Sequence, residues 1–107
     1  MVPNRPRRDD EWRELFELAC RDMAPYGVQP SPHLIDQLLD IPTRRWLTAH
    51  FVAIADVARA GVVVARQRDG RVRRRGVVRM LATMRSGTSI DVVLDEETLE
   101  IVTVMFT

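Results

Sequence analysis

The chain's 107 residues suffice for one domain with one core and are too few for two. With 46% of them apolar, wholesale disorder is excluded, and no apolar run approaches the ~18 residues of a membrane span. The net charge of +1 is unevenly laid out: residues 59–85 hold nine arginines against one acid, and the rest holds seven arginines against fourteen acids. Such segregation points to an anionic partner for the basic segment, or to acids on neighbouring strands that answer it.

The opening MVPNRPRR is basic and proline-rich, and residues 1–8 are expected to form a loose tail. It is charged where an export signal would turn apolar, so the expected site of action is the cytoplasm. A helix is predicted from Asp9, because Trp12, Leu15, Phe16, Ala19, Cys20 and Met23 recur at three- and four-residue spacing. Pro25 and Gly27 end it. In SPHLIDQLLD a serine stands at the N-cap and a proline at the first helical position, a strong helix start. Pro42 then interrupts, Thr43 can cap a third helix to about Ala60, and Trp46, Leu47, His50, Phe51, Ile54, Val57 and Ala58 form its stripe. Gly61 is a natural stop.

After Gly61 the pattern turns to strands. GVVVARQR is β-branched, and Asp69-Gly70 signals a tight hairpin into RVRRRGVVRMLATM. SGT at 86–88 turns into SIDVVL, and DEET turns into LEIVTVMFT. The expected fold is therefore α+β: three N-terminal helices packed on a C-terminal four-stranded antiparallel meander, with residues 9–107 forming one domain.

Alternation assigns the faces. Val72, Val78, Met80, Ala82 and Met84 suit the core, while Arg71, Arg73, Arg75, Val77, Arg79, Leu81, Thr83 and Arg85 share the other face. Ile90, Val92 and Leu94 would point inward and leave Asp91 outside; Val102, Val104 and Phe106 would point inward and leave Ile101, Thr103 and Met105 outside. Gly76 marks a candidate bulge. The outer face would be a cationic strip, with Arg71, Arg73 and Arg85 positioned to hold the charges of a polyanion. Two widely spaced histidines and one cysteine do not make a metal site. His33, in the first turn of its helix, is placed where free N–H groups meet an anion; His50 lies on an apolar stripe and reads as a buried histidine.

Helices followed by a meander ending VVLDEETLEIVTVMF resemble the small bacterial ribonuclease toxins of the barnase, EndoU, colicin and RelE superfamily. That resemblance implies RNA cleavage without metal or cofactor, in a contact-dependent-inhibition or toxin–antitoxin setting, with an acidic antitoxin or immunity protein covering the arginine face. It implies convergence of a histidine from the helical half, an arginine from the sheet and a threonine of the last strand: His33, Arg75 or Arg79, and Thr103. Met105 replaces the second polar residue of that pattern, so the acid stays unassigned. The competing class is a non-enzymatic phage or mobile-element protein that docks on nucleic acid or an acidic protein through the same arginines. A third is an adaptor that seals Val77, Leu81, Ile101 and Met105 against a partner.

Overall fold

The computed structural model describes residues 4–79 and 87–107, with side chains from position 11 onward. Helix α1 spans Asn4–Met23, starting before the expected Asp9. Pro6 falls in its first turn, where no intrahelical N–H bond is needed. Trp12, Ala19 and Met23 are buried from this helix, whereas Leu15 stays exposed. A 3-10 turn, Ala24–Tyr26, closes on Gly27, whose φ of 75° is the left-handed conformation that glycine adopts most readily. Helix α2, Pro32–Asp40, starts as its sequence demands: the Ser31 hydroxyl accepts from the Leu34 N–H at 3.1 Å, and Leu34 and Leu38 are buried.

The expected third helix from Thr43 divides in two. Pro42–His50 is a 3-10 segment, and only Phe51–Ala60 is α-helix, α3. With three residues per turn, Arg44, Leu47 and His50 align on one side. Leu47 and His50 are buried there, and Arg44 Nη2 donates to the Val104 carbonyl at 2.7 Å. Trp46 leaves the core for the same reason, and stacks on Phe106 with ring centroids 5.7 Å apart. No helix among the described residues is long and apolar enough to cross a membrane.

The sheet has five strands, not four: β1 (Gln29–Pro30), β2 (Val62–Arg66), β3 (Arg71–Val78), β4 (Thr88–Asp95) and β5 (Glu100–Phe106). Their order is β1-β5-β4-β3-β2. The last four form the expected antiparallel meander, and β1 pairs parallel to β5. Two residues are too few to show alternation, and proline is a poor strand former. The pairing works because the donors flank the proline: Gln29 N–H bonds the Leu99 carbonyl at 3.1 Å and Ser31 N–H bonds that of Ile101 at 2.9 Å.

The helices share one face of the sheet, with α3 against β3, β4 and β5, and α2 against β5. The core between them joins Phe51, Ile54 and Val57 of α3 to Val72, Val78, Ile90, Val92, Leu94, Ile101 and Val104 of the sheet. Ile101 was expected outside. The register shifts between Val93↔Thr103 and Leu94↔Ile101, so Val102 is the extra residue of a bulge and Ile101 turns inward. Gly76, the candidate bulge, instead pairs regularly with Ile90. The expected strand positions Met80, Leu81, Ala82, Thr83, Met84 and Arg85 lie outside the described residues.

Gly76 is required for packing: a Cβ there would sit 2.7 Å from Val57 Cγ2. Gly76→Ala should therefore destabilise by about 1–3 kcal/mol, the usual cost of overpacking. Gly76→Ala in a Val57→Ala background should cost clearly less, a coupling readable from urea midpoints of the four proteins. Equal costs in both backgrounds would show that the helix simply moves aside.

Candidate functional site

The face of the sheet opposite the helices is built by the odd positions of β3 and β4. Arg75 pairs directly with Asp91 across the strands, and Arg73 is diagonal to it. Arg75 donates from Nε to Asp91 Oδ1 at 2.7 Å and from Nη2 to Oδ2 at 3.1 Å. Arg73 Nε donates to the same Oδ2. Asp91 has no exposed surface, although it lies on the face that no described helix covers. The two arginine side chains accompany it there and remain partly exposed themselves.

A covered carboxylate without cationic donors would be costly, and here two guanidiniums supply them. The hydrogen bond from Arg75 holds the Asp91 carboxyl below the usual carboxylate range; burial opposes this, and Arg73 reinforces it. The same bond raises the Arg75 guanidinium above its ordinary value. Asp91 is thus an engaged carboxylate at neutral pH and a weak base.

The other arginines of the row divide by position. Arg71 sits 3.6 Å from Asp69 and opposite Asp95. Arg74 faces the helices, where its Nη1 donates to the carbonyls of Arg59 and Gly61, both at 3.1 Å, and so closes the end of α3. Arg79 lies just past the end of β3, exposed. Thr103 pairs with Val93 and Met105 with Asp91, which puts both on the arginine face.

The structure therefore brings Arg71, Arg73, Arg75 and Thr103 to one surface. His33 is not beside them. It occupies the first turn of α2, on the helical side, with Nε2 3.3 Å from Gln37 Nε2. α2 packs on β5, and β4 separates β5 from β3, two strand spacings or about 9–10 Å of sheet. His50 is buried in the helical layer against Trp46, ring centroids 5.7 Å apart, and burial lowers its pKa. Arg85 lies outside the described residues. Among the described residues no three His, Cys, Asp or Glu side chains gather as a metal site.

Two participants escaped the sequence reading. Alternation sets Asp91 on the outer face but names no partner for it: a turn at 86–88 would put position 83 opposite, and only the observed register puts Arg75 there. Arg74 has no signal in the strand pattern, which offers no reason for a cation on the core side; only the position of the Arg59 and Gly61 carbonyls does. Comparison with known proteins finds no family model, no curated protein and no solved structure that matches the chain.

The depressed Asp91 value has a defined pH signature. A carboxyl whose pKa is lower folded than unfolded contributes stability that is complete above an unfolded value of about 4 and is lost as pH falls through the folded one. Urea midpoints measured from pH 7 down to pH 2.5 should show this acid loss. Asp91→Asn should lower the midpoint at pH 7 and flatten the acid limb; an acid limb as steep as in the parent protein would assign the loss to other carboxylates.

Proposed function

We propose that the chain is a non-catalytic docking module whose open sheet face binds an acidic protein surface. One observation carries this reading: Arg73 and Arg75, pinned by a single carboxylate, stand beside exposed valines on a sheet face that no described helix covers. Val62 and Val77 are 71% and 72% exposed, Val62 pairs with Arg75, and Val77 follows it by two positions on the same face. Arginine beside apolar contact surface is the composition of a protein interface. Guanidiniums held in place before binding lose little freedom when a carboxylate arrives.

RNA fits this surface less well. Bases of single strands are held by stacking on aromatic rings. The one aromatic residue of the described strands, Phe106, stacks on Trp46 on the helical side. Asp95, paired with Arg71 across β3 and β4, adds negative charge to the open face and opposes phosphates.

The metal-independent ribonuclease toxin is the second reading, favoured by Arg75 and Thr103 sharing a face. It needs groups that move protons between the 2′-oxygen and the leaving 5′-oxygen. His33 lies with α2 on the helical side and Asp91 is too weak a base, so among the described residues the open face offers charge and hydrogen-bond donors without a matched acid and base.

The two readings separate in one set of measurements. An alternating valine–glutamate peptide should bind more tightly than polyglutamate or polyuridine at equal salt. Arg71→Glu and Val77→Asp should each weaken that binding by about ten-fold, the effect of removing one central contact. Total RNA incubated with the protein in EDTA should stay intact. RNA cleaved by the parent protein and spared by Thr103→Val would instead establish the ribonuclease reading.

A further inference from the structure

The helical layer carries a second uncovered surface. Where α1 packs against the 3-10 segment Pro42–His50, a groove of about 390 Å³ opens between Leu15 and Leu18 on one wall and Trp46 and Ala49 on the other. Leu15 is 60% exposed, Leu18 51% and Trp46 44%, although all three lie on elements whose other faces are buried. The floor is fixed from behind. The Trp12 indole N–H donates to Thr48 Oγ1 at 3.1 Å, and the Arg45 guanidinium lies 4.8 Å over the Trp12 ring. Arg45, which also lines the groove, is held by the carbonyls of Leu38 and Leu39 at the C-terminal end of α2. Trp46 is backed by Phe106. Contiguous apolar surface of this kind, with a tryptophan held in place, marks a binding site rather than a solvated face.

The shape, a trough between two helical elements, suits a third helix. Its charge selects which helix. On α1, Leu15 and Leu18 are flanked by Glu11, Glu14 and Asp22 against Arg21, so the α1 wall is acidic even with Arg45 counted on the opposite side. A second copy of this chain is disfavoured. In an antiparallel pairing centred between Leu15 and Leu18, Glu11 would meet Asp22 of the other copy; in a parallel one, Glu11 would meet Glu11. Either two-fold sets carboxylate against carboxylate. We infer that this groove receives an amphipathic helix of another protein, its apolar face flanked by lysines or arginines. The inference is independent of the open-face reading, which concerns the other side of the sheet and an acidic partner.

The test uses two synthetic helical peptides with leucine at helical spacing, one with lysine and the other with glutamate at every remaining position. The full chain is titrated against each by fluorescence anisotropy, and its association state is followed by sedimentation equilibrium. The lysine peptide should bind, and the double variant Leu15→Gln/Leu18→Gln should weaken it by about ten-fold or more. Both leucines are exposed, so an unchanged urea midpoint verifies the fold of the variant. Glutamate-peptide binding, which the arginine face supports, should not respond to that variant, and Arg71→Glu should leave lysine-peptide affinity within about two-fold. Glu11→Lys/Asp22→Lys should weaken the lysine peptide further. Lysine-peptide binding that ignores the leucine substitutions overturns the inference. So does a concentration-dependent dimer that the leucine substitutions dissolve, because the occupant would then be a second copy.

Discussion

One carboxylate in the middle of the sheet constrains the rest of this fold. Asp91 sits on the third of four meander strands, fully covered, where an unpaired negative charge would be prohibitively placed. Its neutralisation requires the neighbouring strand to present guanidiniums directly opposite and diagonally, and a one-residue slip would send both to the other face. The pairing of β3 with β4 is therefore specified twice, by the apolar positions on the helical face and by Arg73, Asp91 and Arg75 on the other. The arginine row that stands out in the sequence is in part the answer to this one acid.

The opposite face of β3 is organised just as tightly, by different means. Gly76 lets Val57 approach the strand, and two residues earlier Arg74 reaches up to the last carbonyls of α3. A small residue and a long cation on adjacent core-side positions thus set the distance and the end of the same helix. On β5 the bulge at Val102 brings Ile101 and Val104 both into the core while Thr103 and Met105 stay outside. The composition of the open face depends on that single inserted residue.

The result is a two-sided molecule. The open sheet face combines pinned cations with exposed valines, and the helical layer combines leucine and tryptophan with an acidic rim. The segregation of charge along the chain becomes a segregation between surfaces, although much of the basic segment's excess is spent internally on Asp91, Asp69 and Glu96. Both surfaces are proposed as partner sites, and the partners proposed for them differ in charge.

The sequence by itself determined what depends on local chemistry and on period. Ser31-Pro32 starts α2, Gly61 ends α3, Asp69-Gly70 turns the hairpin, and alternation puts Arg71, Arg73, Arg75 and Thr103 on one side, because each of these signals acts over a few residues. Tertiary structure alone decided the rest. The strand Gln29–Pro30 exists because β5 offers carbonyls at the right height. Residues 42–50 tighten to three per turn while burying Leu47 and His50. Ile101 turns inward because the register slips by one. His33 is carried away from the arginines because α2 packs on β5, two strands from β3. The strand Gln29–Pro30, for one, depends on bonds between groups 70 positions apart in the chain, a separation over which no periodicity in the sequence carries information.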